Sequence, residues 1–360
     1  MDLKENLLYI WELFLHKTKI KEQPHLNNGF QEKEPDLGDY VEPMLGSDVS
    51  KEKLLNDGQW DKYRDDGEKQ NQGNLTMSCV SQSYANCIEQ IIRRLMELTD
   101  EKSKQIVKIL TDYNIIKNGK VNVSKRYIAN VSGTTRRGNG LKAVAEAVRK
   151  NGLIAEELCP YVNGWNKYYD LNYETIGKDE LIKKGKEVAE LIAINYEWVR
   201  LDQFNDVKVY SPVQTSMYAY DNPVNGIYKR TNKNRNHAVD NDGYLMNQYD
   251  KVFDSFEPFG KKMSWDFDFG LGMIFSINLK KNFNYELIKQ LKRDGYKIMV
   301  RPDAQGQAYV IENFGLIYKD SSKDPVFRNI PLVDYMLKEW DKEGKVHWVS
   351  ESNYKKLCLN

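Results

Sequence analysis

At 360 residues the chain is long enough for one large or two to three ordinary domains, and 41% hydrophobic with 12% aromatic residues describes a globular rather than a disordered polypeptide. The formal net charge of +1 gives no global reason to expect nucleic acid or an anionic membrane as the main partner. No window approaches the ~20 apolar residues of a membrane span. Four cysteines, Cys79, Cys87, Cys159 and Cys358, show neither a C-x-x-C pair nor metal-ligand spacing, so no metal or other cofactor is expected.

Residues 1–20 place Leu3, Leu7, Ile10, Trp11 and Phe14 on one helical stripe. Its apolar run, Leu7 to Leu15, contains Glu12 and follows Asp2 and Glu5 instead of a basic segment, which argues against a secretion signal. From Lys21 to Gly58 the chain is polar and broken by Pro24, Gly29, Pro35, Gly38, Pro43 and Gly46, an extended connector. Beyond Cys79, Ala85, Ile88, Ile91, Ile92 and Leu95 recur at the three- and four-residue spacing of a helix with one buried face. Further helices are expected at Ser103–Tyr113, Ser124–Val131 and Leu141–Lys150, the last stopped by Gly152. After about Lys186 the pattern turns to strands: 196–199, 212–218, 237–239, 251–253 and 271–279. Helices followed by strands imply an α+β fold with a cleft where the halves meet. The last eighty residues read as an appendage, with helices at 285–293 and 332–340 and a strand pair formed by 296–300 and 308–312.

The helix beginning at Cys79 puts a thiol where unpaired amide N–H groups and the positive dipole end favour an anion by about 0.3–1 kcal/mol. Gln72 lies seven residues earlier in Asn71-Gln72-Gly73. Its side-chain amide and the Cys79 backbone N–H would be two donors for one developing oxyanion. Of the four histidines, His16 and His25 fall in the N-terminal extension and His347 near the end, whereas His237 opens a strand in Asn236-His237-Ala238-Val239. Asp254, 17 residues on and on the next strand, would return through a hairpin to orient the imidazole. Cys87, two turns beyond Cys79, reads as a core thiol. Asp240-Asn241-Asp242-Gly243 lacks the acidic residue a calcium loop needs at its twelfth position and reads as a solvated turn.

These residues resemble a papain-like cysteine peptidase over about Trp60 to Phe256. Ser78-Cys79 after Gln72-Gly73, Gly152-Leu153-Ile154-Ala155-Glu156-Glu157-Leu158-Cys159-Pro160-Tyr161, Ser211-Pro212-Val213, Asn236-His237-Ala238-Val239 and Asp254-Ser255-Phe256 follow the family's segments in order. The resemblance implies a two-lobed fold in which 1–58 is an extension or pro-segment, 59–195 a helical lobe, 196–280 a β lobe and 281–360 the appendage. It implies hydrolysis of peptide bonds with Cys79 as nucleophile, His237 as base and acid, Asp254 as orienting group and Gln72 as oxyanion donor. Gly140, Leu141, Met217, Asn236 and Ala238 would contact the protein or peptide substrate.

Departures from the pattern carry their own meaning. Thr76 and Gly138 stand where secreted members pair two cysteines, which suits a reducing, cytoplasmic or virion-associated location. Leu141 replaces a glycine whose backbone pairs with substrate. Asp254 stands where the family has asparagine, so it should hold an imidazolium more firmly and raise the histidine pKa. The long lead and the appendage suggest an assembly-linked peptidase, encoded by a bacteriophage, whose partner would dock on the N-terminal helix or the appendage. Two rivals share these features: a structural virion component with weak or lost activity, and a cell-wall amidase or acyltransferase using the same Cys-His pair.

Overall fold

The computed structural model describes residues 30–31, 52–64, 76–231 and 233–279, and three short strands at 308–311, 315–318 and 346–348. The chain divides into two units, Met1–Asn278 and Leu279–Asn360. No described helix is long and apolar enough to cross a membrane.

The first unit is α+β, helices first and sheet after. Helix α1 (Cys79–Glu97) is buried along almost its whole length and forms the axis of the helical half. Around it stand α2 (Glu101–Asp112), the two-residue strands β1 (Ile116–Lys117) and β2 (Lys120–Val121), α3 (Lys125–Val131) and α4 (Leu141–Asn151). The short α5 (Trp165–Tyr168) and the longer α6 (Gly177–Leu191) complete this half. Side chains set the helix starts: Asp100 accepts from the Ser103 N–H at 2.9 Å, and Ser124 Oγ accepts from the Tyr127 N–H at 3.0 Å. Both helices therefore begin at, or within two residues of, the positions expected from sequence.

The sheet half comprises β3 (Ile192–Val199), a single turn of helix α7 (Phe204–Val207), β4 (Val213–Met217), β5 (His237–Leu245), β6 (Tyr249–Phe253), β7 (Gly260–Ser264) and β8 (Gly272–Leu279). The strands lie in the order β3-β8-β4-β5-β6-β7, antiparallel from β8 through β7. Val199, Phe204, Val213, Met217, Val239, Val252, Met263 and Ile274 form its apolar core. Trp60, completely buried, ties the incoming chain to this half by donating its indole N–H to the Lys208 carbonyl at 2.5 Å.

Two features depart from the sequence reading. Strand β7 was not expected, because Lys261-Lys262 interrupts the apolar pattern; Lys261 and Met263 are nevertheless buried while Lys262 is exposed, the alternation of a strand with one inner face. Residues Asp240-Asn241-Asp242 are not a solvated turn but the fully buried middle of β5. Partners on other elements make this possible: Arg64 grips both Asp242 carboxylate oxygens at 2.5 Å, and Gln90 of α1 donates to Asp240 at 2.7 Å and to Asp242 at 3.2 Å. Burial, reinforced by Asp242, pushes the Asp240 carboxyl well above its ordinary range.

In the second unit, β9 (Ala308–Ile311) is flanked by β10 (Gly315–Tyr318) and β11 (Val346–Trp348), both antiparallel to it. The strand expected at 296–300 lies outside the described residues. The helices expected at 285–293 and 332–340 and the stripe of residues 1–20 lie outside the described residues.

Gly152 ends α4 with φ +70°, and a Cβ there would lie 1.8 Å from the Gly185 carbonyl oxygen of α6. Gly152→Ala combines a left-handed backbone with a backbone clash and should destabilise the unit by about 2 kcal/mol or more. Denaturant unfolding checks this, the expected outcome being a lower midpoint.

Candidate active site

Cys79 is the first residue of α1, entered through Met77 at φ +56°. Two tyrosines of the loop carrying α5 brace this entry: Tyr169 donates its hydroxyl to the Thr76 carbonyl at 2.5 Å, and Tyr168 to Ser78 Oγ at 3.4 Å. Arg126 of α3 holds that loop from beneath, donating to the carbonyls of Tyr168, Lys167, Asp170 and Pro160 and to Glu174. His237 opens β5, opposite Met217 in the β4–β5 ladder. Asp254 follows β6 directly, its N–H donating to the Phe259 carbonyl at 2.9 Å. Antiparallel pairing of β5 with β6, Asp240 opposite Phe253, brings the two side chains together.

The imidazole Nε2 lies 2.7 Å from Asp254 Oδ1, both side chains wholly buried. Cys79 lies close enough to the same ring to help raise its pKa. With Nε2 committed to Asp254, Nδ1 is left without a hydrogen-bond partner among the described residues, the nitrogen available to a thiol. A sulfur, a ring and a carboxylate thus lie near one another, each carried by a different element. Burial works against a charged imidazole, but the Asp254 charge and hydrogen bond, aided by Cys79, raise His237 to about 10. Burial likewise works against ionised Asp254, yet the His237 charge and hydrogen bond, with Lys261 and Tyr220, hold it well below the usual carboxylate range.

The expected open cleft is not seen at the thiol, for Cys79 and His237 are both 0% exposed. Rings crowd the site: Phe256 lies 5.2 Å from the His237 ring and Tyr220 6.5 Å. Gln72 lies outside the described residues. Gly140 caps α4 and Leu141 begins it, buried. Met217 is part of the apolar core of the sheet and Ala238 is buried beside it on the neighbouring strand. Asn236 accepts from the Ala219 N–H at 2.8 Å, shaping the turn before the histidine. Two residues that touch Asp254, Lys261 and Tyr220, were missed from sequence. The one available signal was a lysine at an inward position of a short alternating run; Tyr220 gave none.

No protein-family model matches the chain, and no curated protein matches its sequence. Among solved structures it is similar to xylellain, a cysteine protease from Xylella fastidiosa, at 14% identity over 71% of this chain and 96% of that one, with a TM-score of 0.42. It is also similar to digestive procathepsin L 3 of Tenebrio molitor larval midgut at 13% identity, covering 70% of this chain and 76% of that one, TM-score 0.42. A third likeness is to the Carica candamarcensis cysteine protease CMS1MS2, at 13% identity over 61% and 96% of the two chains, TM-score 0.38. At these values the likeness carries no functional argument, which rests on the side chains themselves.

A histidine raised above its ordinary 6.5 contributes stability in full below that value, and His237 loses the contribution as pH rises toward about 10. Asp254, depressed from 3.8, contributes above that value and loses its share as pH falls through its lowered folded-state value. Carbon-13 NMR of the histidine ring should therefore find a His237 midpoint near 10 that drops toward 6.5 in Asp254→Asn. A wild-type midpoint near 6.5 would contradict the ion pair.

Proposed function

We propose that this chain is a cysteine hydrolase acting on peptide bonds. The observation that carries the reading is the His237–Asp254 pair, with Nε2 2.7 Å from the carboxylate, beside the Cys79 thiol at the start of α1. In this reading the thiol's proton resides on Nδ1, giving a thiolate–imidazolium pair, and the sulfur attacks the substrate carbonyl. The Cys79 backbone N–H and the Gln72 side chain stabilise the oxyanion. His237 then returns the proton to the leaving amine, and water enters by the reverse path to hydrolyse the thioester. Asp254 stabilises the imidazolium between these transfers.

The same reading makes the N-terminal lead a pro-segment. Phe30 bridges to Asn139 in parallel, Gln31 N–H donates to the Asn139 carbonyl at 2.7 Å, and the Gln31 side chain donates to the Gly138 carbonyl at 3.1 Å. That loop runs directly into Gly140 and Leu141, where substrate backbone would lie. Phe30 is buried there, which supports a lead that occupies the substrate-binding backbone until removed. Leu54 and Leu55 are anchored by their N–H groups to the Val209 carbonyl at 2.9 and 3.0 Å, so a cut that releases the lead without disturbing the sheet falls between Gln31 and Leu54. Docking on an assembly through the N-terminal stripe or the second unit would then follow or accompany that cut.

Complete burial of Cys79 and His237 favours one other reading, a structural protein that keeps the site without turnover. Incubation with an unfolded protein substrate, followed by mass mapping of the products and of the enzyme's own N-terminus, separates the two. The hydrolase reading expects cleavage by a form beginning between Gln31 and Leu54. It expects less than about one-thousandth of that rate in Cys79→Ala. Equal cleavage in both, or none from a shortened form, contradicts it; release of fragments from peptidoglycan alone would redirect it to an amidase.

A further inference from the structure

Two groups beyond the sequence-read constellation sit on the Asp254 carboxylate. Lys261, the second residue of β7, has its side chain at 0% exposure, and its Nζ lies 3.0 Å from Asp254 Oδ2. The same nitrogen donates to the Phe256 carbonyl at 2.5 Å and to the Pro258 carbonyl at 2.7 Å. Three acceptors match the three N–H groups of an ammonium, whereas a neutral amine would turn a lone pair toward an oxygen. Tyr220, in the segment between β4 and β5, donates its hydroxyl to Oδ2 at 2.5 Å. With His237 Nε2 at 2.7 Å and the Phe256 N–H at 3.2 Å on Oδ1, the carboxylate receives four donors, its full capacity.

Building on the cysteine-hydrolase reading, we infer that Lys261, assisted by Tyr220, is a positioning residue for the His237–Asp254 pair: it anchors Oδ2 so that Oδ1 stays on Nε2, and it offsets the carboxylate charge so that the imidazolium can release its proton. Neither group touches the sulfur or the ring nitrogen that faces it. A lone carboxylate beside a buried imidazolium would hold that proton too firmly for transfer to a leaving amine, since the attraction is weakly screened out of water. An ammonium on the far oxygen weakens that hold without breaking the hydrogen bond.

The titratable and charged groups facing the pair, among the described residues, come from every packed element. Cys79 of α1 faces His237. Lys261 of β7 and Tyr220 face Asp254, and Tyr228, from the same segment as Tyr220, feels its charge from farther off. Lys261 is the only cation in that set besides the imidazole.

The test is histidine-ring NMR on the full chain, with His237 assigned by loss of its signal in His237→Gln. In Lys261→Met the His237 midpoint should move up by about one unit or more, because a cation has been removed from beside an imidazolium. Turnover in the same variant should lose kcat with little change in KM, and Lys261→Arg should return the midpoint toward wild type. An unmoved midpoint in Lys261→Met overturns the inference. Should that variant not fold, Tyr220→Phe takes its place, a smaller upward move supporting the inference and none overturning it. The titration needs no substrate: a wild type that cleaves no peptide defeats the hydrolase reading while the comparison of midpoints still decides the role of Lys261.

Discussion

Removing an ionised carboxylate from water is costly unless its lone pairs are met and an opposite charge is near, and Asp254 satisfies both conditions with His237, Lys261, Tyr220 and the Phe256 amide. Three neighbouring strands depend on that arrangement. His237 opens β5, Asp254 follows β6 and Lys261 lies near the start of β7, so the two ladder registers must both be right for the charges to meet. A one-residue slip would turn the side chains to the other face. Loss of one partner from such a buried pair typically costs about 3–5 kcal/mol, which makes the site a determinant of the sheet as well as its product.

Helix α1 carries two chemistries along its length. At its first residue the thiol meets the imidazole; two turns on, Cys87 meets Asp240 instead, and burial together with that carboxyl pushes its thiol well above the ordinary value. The same helix sends Gln90 to Asp240 and Asp242 and Glu89 to the Val123 N–H and Lys125. Buried polar groups of this kind fix how the helical half seats on the sheet half, because an apolar face alone would tolerate sliding. The Cys79 thiol is thereby held at a set height near His237.

Much of this was readable from residues. The spacing of Ala85, Ile88, Ile91 and Ile92 located α1, Ser124 and Gly152 marked helix ends, and the α+β order followed from the change of period after about Lys186, which falls inside α6. The candidate constellation was readable because thiol, histidine and aspartate each stood at an element boundary. Polar residues inside strands were not: Asp240, Asp242 and Lys261 look solvated in sequence, and their burial is made tolerable by Arg64 and Gln90, distant along the chain, and by Asp254 on the neighbouring strand's end. Tyr220 and the closing of Phe30–Gln31 on the Gly138–Asn139 loop are likewise tertiary facts with no local pattern.

Cys79, Cys87 and Cys159 are equally buried, each at 0% exposure, so they provide an internal control for the one difference the account turns on, the imidazole beside Cys79. The direct measurement is the rate of alkylation of each thiol at neutral pH in the full chain, read by peptide mass mapping, in wild type and in His237→Ala. The account predicts that Cys79 is labelled at least about tenfold faster than the other two and that His237→Ala removes the advantage. Three equal rates, or an advantage that survives without the imidazole, would contradict it.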